Sequence, residues 1–245
     1  MTPKLTHLLA AALMISTSGT ALAQYQGQSE VLLASERSQQ TGRAQSGEYN
    51  PQIPAVGLIR RADFAVRNVT IECDTRDGEL REKELREMVE NAVRAAPRQG
   101  LQLSFGSQTI ETLDLDNYAS LGVYGGGRPD TSRMTFLLKV PLTQGSTLAE
   151  VEKRMDDFVA SVKPVGRAQF LPTGSRVSLS IVKPDQYRGS IIDRVSEDSL
   201  NIGGRIGSGY AVRINGLQRP VDWVRWEELD VLLFVPYELE VVPAG

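Results

Sequence analysis

A strand–helix–strand pattern that occurs twice constrains the fold of this chain more than any other sequence feature. Residues 62–73 read as a strand, residues 79–96 space apolar side chains three to four apart as a helix does, and residues 101–105 begin a second strand. The same order recurs over residues 133–182, although the residue identities do not repeat. Two such units predict an α+β fold.

The apolar stripe of the first predicted helix indicates a face packed on a sheet. Its members are Leu80, Leu85, Met88, Val89, Ala92, Val93 and Ala96. Thr147 and Glu150 have the spacing of a capping box and predict the start of a second helix, which ends before Pro164. Asp185 is a candidate N-cap for a third helix.

Antiparallel strands are expected at the C-terminal end of the chain. Residues 210–214 begin a strand, and Asn215-Gly216 is a turn signal. Residues 221–226 and 229–242 are expected to pair as a hairpin. The second of these segments is apolar on both faces at its start, so we expect it to be central in a sheet or covered.

The first 23 residues have the composition of a cleaved signal peptide. Lys4 supplies a basic start, residues 8–15 are a short apolar run, and Ala21-Leu22-Ala23 predicts cleavage before Gln24. An N-terminal membrane helix is the alternative, but the apolar run is far shorter than the ~20 residues of a span. The sequence therefore predicts an exported protein, periplasmic in a host with two membranes.

The composition argues against several classes of site. The only histidine, His7, lies in the predicted leader, and Cys73 is the only cysteine. A mature chain without His can form neither a Ser-His-Asp nor a Cys-His couple, nor a usual zinc site, so we expect no catalysis and no cofactor. Cys73 ends an apolar strand and is expected to be buried rather than reactive. The formal net charge of −3 argues against nucleic-acid and anionic-membrane partners.

Two polar segments are predicted to lack regular structure. Residues 24–57 are rich in Gln, Ser, Gly and Glu and predict a flexible N-terminal arm. The apolar island Val31-Leu32-Leu33 leaves a second interpretation open, an arm that docks on a neighbouring subunit. Gly125-Gly126-Gly127 lacks the lysine and hydroxyl residue of a phosphate-binding loop and predicts a plain mobile loop.

The order of these elements resembles the SIMPL-domain family of exported bacterial proteins, also called DUF541. Residues 61–66 resemble its opening strand, in which an Asp precedes alternating apolar residues. Residues 178–207, with Asp198, resemble its last strand–helix step, and residues 234–239 resemble its closing strand. The resemblance implies a SIMPL-like α+β domain over residues 58–245, with ring-like self-assembly and without established enzymatic activity.

A self-associating structural or scaffold protein of the envelope is therefore the first functional hypothesis. Strand–helix–strand units leave sheet edges that a second chain can extend, so we expect a homo-oligomer. Three charged residues interpreted as edge residues, Arg67, Lys139 and Arg176, argue against such pairing.

A periplasmic binding module or a glycan hydrolase that works without His is the alternative. Its candidate carboxylates are Asp74, Asp77, Asp114 and Asp116, and its candidate ligand surface comprises Trp223, Arg225 and Trp226. Asp74 and Asp77 are interpreted first as turn and helix-cap residues. Because the two tryptophans are three residues apart on a strand, they face opposite sides, and at least one is expected in the core.

Overall fold

The computed structural model describes residues 30–32, 53–106, 110–172, 174 and 176–244. Three α-helices occur in these residues: α1 (Gly78–Ala95), α2 (Leu148–Ser161) and α3 (Arg188–Ile206). Short 3-10 helices cover Ala96–Gln99, Tyr118–Ser120 and Pro184–Tyr187. The strands are β1 (Glu30–Leu32), β2 (Leu58–Arg61), β3 (Phe64–Cys73), β4 (Gln102–Phe105), β5 (Glu111–Thr112), β6 (Tyr124–Gly125), β7 (Ser132–Pro141), β8 (Gln169–Phe170), β9 (Ser178–Val182), β10 (Tyr210–Asn215), β11 (Asp222–Arg225), β12 (Asp230–Phe234) and β13 (Glu238–Pro243).

The main sheet confirms the α+β prediction and both strand–helix–strand units. Its strand order is β1-β9-β3-β7-β4-β5, with β6 added to β7 and β8 to β3, and each pairing is antiparallel. The two strands joined by α1 flank β7, and the two strands joined by α2 flank β3. Each unit is thus split by a strand of the other, which is the arrangement of ferredoxin-like folds.

Local capping signals account for the ends of the first two helices. The Leu80 amide donates to Asp77 Oδ1 at 2.8 Å at the start of α1, which confirms the cap role of Asp77. The chain leaves the following 3-10 helix through Gly100 at φ 65°, a left-handed conformation that favours glycine. At the start of α2, Thr147 and Glu150 form the predicted capping box, with both reciprocal hydrogen bonds present.

The prediction that Asp185 caps the third helix is wrong. A 3-10 turn precedes α3, so the helix begins at Arg188, and its cap position, Tyr187, makes no side-chain capping bond. Asp185 Oδ1 instead accepts from the Val221 amide at 2.9 Å. Its carboxylate therefore connects the approach to α3 with the segment that leads into β11.

The main core lies between the sheet and the first two helices and continues to α3 and to strands β11 and β12. Leu85 at the middle of α1 is fully buried, as the apolar stripe predicts. Met155 and Phe158 are the buried residues with which α2 packs on the same core. The opposite face of the sheet carries a second, smaller cluster of buried apolar side chains. Its described members are Phe64, Val66, Ile110, Leu137 and Val182.

The interpretation of Arg67 and Lys139 as sheet-edge residues is wrong. Both lie on central strands, and their side chains are 6% and 3% exposed. Arg67 Nη1 lies 2.5 Å from Asp156 Oδ1 on α2, and Lys139 Nζ lies 4.0 Å from the centroid of the Phe64 ring. Their long apolar stems let the charged ends reach these partners across the sheet faces. Arg176 is exposed just before β9.

The C-terminal region forms two further sheets and only part of the predicted hairpin. Strands β11 and β12 pair as expected, and β12 is central because β2 pairs with its other edge. The segment 229–242 is interrupted after Phe234, however, and its last part, β13, pairs with β10 instead. We call the two-stranded sheet of β10 and β13 the C-terminal ribbon.

Two segments predicted to be irregular contain strand structure. Residues 30–32 of the arm pair with β9 of the same chain, with Val31 opposite Ile181. In the glycine loop, Gly125 belongs to β6, and the Gly126 amide donates to the Thr131 carbonyl at 2.8 Å. The predicted signal peptide, residues 1–23, lies outside the described residues.

Candidate functional site

The predicted ligand surface of Trp223, Arg225 and Trp226 is not presented as a whole. Trp223 is only 4% exposed and belongs to the main core, so its ring cannot stack on a ligand. Arg225 is half-buried, and its Nη2 donates to the Val177 carbonyl at 2.8 Å. Burial, together with the nearby Arg176, lowers the pKa of Arg225. Trp226 is half-buried in the turn that joins β11 to β12.

Two of the four candidate carboxylates lie together in a turn. Asp114 Oδ1 accepts from the amides of Asp116 and Asn117, at 2.9 and 3.2 Å, which stabilises the approach to a 3-10 helix. Asp116 itself is exposed. Asp74 and Asp77 lie elsewhere, at the connection from β3 to α1. The structure therefore divides the four carboxylates between two separate segments.

A polar network, which sequence reasoning missed, joins the end of β3 to α1 and to the segment before β8. Glu84 Oε2 accepts three hydrogen bonds: from Thr75 Oγ1 at 2.5 Å, from Cys73 Sγ at 3.1 Å and from the Arg167 amide at 3.2 Å. We call this set, with Asp74, the Glu84 network. Its members are far apart in sequence, and among them only Asp74 was interpreted from the sequence, as a turn residue.

An ion pair closes the exposed side of the Glu84 network. Arg167 Nε and Nη2 lie 2.6 and 2.8 Å from the two carboxylate oxygens of Asp74, a bidentate pair. Arg128 Nη2 is more distant, at 3.8 Å from Asp74 Oδ2. The hydrogen bond from Arg167 holds the pKa of Asp74 below its ordinary value.

The electrostatics of the network keep the Glu84 carboxylate ionised and the Cys73 thiol protonated at neutral pH. The Thr75 hydroxyl, with smaller contributions from Cys73 and Arg167, holds the pKa of Glu84 below its ordinary value. Burial is the main cause that raises the pKa of the Cys73 thiol. Cys73 is buried, as predicted. Because the thiolate is the nucleophilic form, this arrangement stabilises structure rather than activating the sulfur.

An open pocket of about 350 Å³ lies where β2 turns into β3. Arg60 Nη2 donates to Asp63 Oδ1 at 2.9 Å, and Asp63 Oδ2 accepts from the Val182 amide at 2.8 Å. Arg61 Nε lies 3.1 Å from Asp230 Oδ1, although the two are not aligned as a hydrogen bond. Each arginine of this pocket thus faces a carboxylate, and Asp63 ties the corner to β9.

Apolar surface is exposed at the C-terminal end of the described chain. Leu200 on α3 is 77% exposed, and Tyr210 and Val241 on the C-terminal ribbon are 54% and 46% exposed. Alternation in residues 210–214 predicted the strand, but sequence reasoning did not anticipate that its apolar face would be only partly covered. Exposed apolar residues of this kind mark interaction surfaces when they adjoin one another.

Among the helices of the described residues, none combines the length and the apolar character that a membrane crossing needs. In the same part of the chain, no group of three or more His, Cys, Asp or Glu side chains is placed as ligands of one metal ion. No family model, curated protein or solved structure matches this chain. The resemblance to the SIMPL-domain family therefore stays a hypothesis.

Proposed function

We propose that this protein is an exported, periplasmic scaffold protein of the cell envelope that self-associates and catalyses no reaction. The observation that supports self-association best is the C-terminal ribbon, a sheet of only two strands on which Tyr210 and Val241 stay about half exposed. Helix α3 passes close to Val212 of this ribbon but leaves these two side chains about half exposed, and a further strand would add backbone hydrogen bonds along the edge.

Export is supported by the sequence of residues 1–23. A basic start, a short apolar run and the Ala21-Leu22-Ala23 site are the features of a cleaved leader. The resemblance to an exported family points to the same compartment.

The structural roles of the candidate catalytic side chains also favour a scaffold. Asp77 caps α1, Asp114 holds a turn, and Asp74 forms a bidentate pair with Arg167. The ring of Trp223 is packed in the core. These groups are already engaged in holding the fold together, which favours the scaffold over the glycan-hydrolase hypothesis.

Mass measurements on protein exported by its native host test both parts of the proposal. An intact mass that corresponds to a chain beginning at Gln24 supports export, and a mass that corresponds to a chain beginning at Met1 contradicts it. Light scattering coupled to gel filtration, at tens of micromolar, is expected to give a multiple of the mature chain mass. A monomer would overturn self-association, and glycan turnover lost in Asp74→Asn or Asp114→Asn would overturn the non-catalytic role.

A further inference from the structure

The C-terminal ribbon has one apolar and one polar face. Its register places Tyr210 opposite Pro243, Val212 opposite Val241 and Ile214 opposite Leu239. Side chains directly opposite each other share a face, so these six residues form the apolar face. The polar face carries the Arg213–Glu240 ion pair, with Nη1 and Oε2 3.6 Å apart.

Helix α3 covers only part of the apolar face. A Cβ placed on Gly203 would lie 3.9 Å from Cγ2 of Val212, so this end of α3 passes close to the middle of β10. Tyr210 and Val241 are nevertheless 54% and 46% exposed. Helix α3 therefore leaves part of the apolar face exposed to solvent.

Hydrogen-bond alternation shows which groups of β10 point away from β13. The Ala244 amide donates to the Gly209 carbonyl at 2.9 Å, so residues 209 and 244 form a hydrogen-bonded pair. In an antiparallel pair the next residue along has its amide and carbonyl on the outside. The amides and carbonyls of Val212 and Ile214 thus point outward, and in the part of the chain that the structure describes neither strand pairing nor another backbone bond engages them. The outward Tyr210 amide donates to the Gly207 carbonyl at 3.2 Å.

The outer edge of β13 is less suited to pairing. By the same alternation Pro243 lies at an outward position and has no amide hydrogen to donate. Glu238 and Glu240 add negative charge along that strand. Proline is one of the usual means by which proteins protect a sheet edge, and β10 has none at its outward positions.

We propose that the occupant of the β10 edge is β10 of a second copy of this chain, antiparallel and related by a two-fold axis at Val212. This inference rests on the proposed self-association and specifies where it occurs. Val212 then faces Val212 of the second copy, and Tyr210 faces Ile214 of the second copy. The four-stranded sheet β13-β10-β10-β13 keeps both apolar faces on the same side.

This register satisfies the outward groups of Val212 and the outward amide of Ile214, and it avoids like charges. The two Val212 residues exchange two N–H···O bonds, and each Ile214 amide reaches the Tyr210 carbonyl of the other copy. Ala211 lies opposite Arg213 of the second copy, so no two charges of the same sign face each other. Aromatic–β-branched pairs such as Tyr210 with Ile214 are favourable across strands. A symmetric pairing of β13 would instead bring two prolines, which have no amide hydrogen, into the shared interface.

Two proline variants of the mature chain test the proposal. Val212→Pro removes the central outward amide of β10, and Val241→Pro makes the matched change on the outer edge of β13. Proline is tolerated where the amide faces outward, so both variants are expected to fold. Sedimentation velocity over a concentration series is expected to show association at least about tenfold weaker for Val212→Pro, because two interchain hydrogen bonds are lost. Val241→Pro is expected to associate like the parent chain.

If circular dichroism shows that Val212→Pro does not fold, a disulfide test decides the question instead. The double variant Ala211→Cys, Arg213→Cys places thiols opposite each other on the exposed face, and mild oxidation is expected to give a covalent dimer. The two single variants are the controls and are expected to stay mostly monomeric on denaturing gels. If the parent chain associates but Val212→Pro associates equally well, or the double variant gives no covalent dimer, this interface is overturned and self-association is not. A monomeric parent chain overturns both.

Discussion

Replacing Glu84 by alanine tests the Glu84 network directly. This carboxylate accepts hydrogen bonds from Thr75, Cys73 and the Arg167 amide, so Glu84→Ala removes three contacts that converge on one oxygen. Cys73 is the last residue of β3, Thr75 follows that strand, and Arg167 precedes β8. The variant therefore loosens the attachment of α1 to two other parts of the fold.

The expected loss of folding free energy depends on whether each hydrogen-bond donor can find another acceptor. The Thr75 side chain lies in a residue that is 8% exposed, so its hydroxyl loses its acceptor without access to much water. Leaving a buried donor unsatisfied costs about 1–3 kcal/mol. The Arg167 amide is in an exposed residue and can turn to water, so it adds little. We expect a loss of about 2 kcal/mol, or about 4–8 °C in Tm for a domain of this size.

Chemical denaturation of the mature chain at pH 7 measures this loss, and Glu87→Ala is the matched control. Glu87 lies on the same helix with an exposed side chain. Its replacement is expected to change stability by no more than about 0.5 kcal/mol. Equal stabilities for the two variants would refute the assignment of the network.

The same network predicts a pH dependence. The folded-state pKa of Glu84 is lowered, mainly by Thr75, so the stability it adds is complete above its ordinary pKa of about 4.3 and is lost as pH falls below that value. The stability gap between the parent chain and Glu84→Gln should therefore be widest near pH 7 and should narrow on acidification below about pH 4.3. A gap that widens below pH 4 would contradict the sign.

Three further predictions concern burial and close approach. Gly166→Ala should destabilise the fold strongly, because Gly166 has φ 54° and a Cβ there would lie 2.0 Å from Glu84 Oε1. The control Gly145→Ala has open space at its Cβ and should leave the thermal melting temperature nearly unchanged. Leu85→Asp should unfold the domain, since an unpaired buried carboxylate costs several kcal/mol against a total of about 5–15 kcal/mol; a soluble variant with an unchanged melting curve would refute this. Cys73 should react with a thiol reagent only after denaturant is added, and rapid labelling of the native chain would show that it is accessible.

Much of the local structure could be predicted because its determinants lie within a few residues of one another. The capping box of Thr147 and Glu150 and the cap of Asp77 act over three residues. The apolar spacing around Leu85 gave α1 to within one residue at each end. Asp185 shows the limit of such signals, because an intervening 3-10 turn moved the start of α3 to Arg188.

The candidate site was less predictable, since residue type says little about what a side chain contacts. Its residue type makes Trp223 a candidate for stacking on a ligand, but its side of β11 faces the core. No local pattern marks Glu84, because its partners, Cys73 at the end of β3 and Arg167 before β8, are brought to its carboxylate by the fold.

The sequence by itself determined the kinds and order of the longer helices and strands, because strand and helix periodicity are local properties of the chain. Only the tertiary structure decided which strands are neighbours, and hence that Arg67 and Lys139 lie on central strands rather than at an edge. It also decided that β13 pairs with β10 and that, among the described residues, no strand pairs with the outer edge of β10. Strand pairing depends on contacts between residues far apart in sequence, whose free energies no local pattern records.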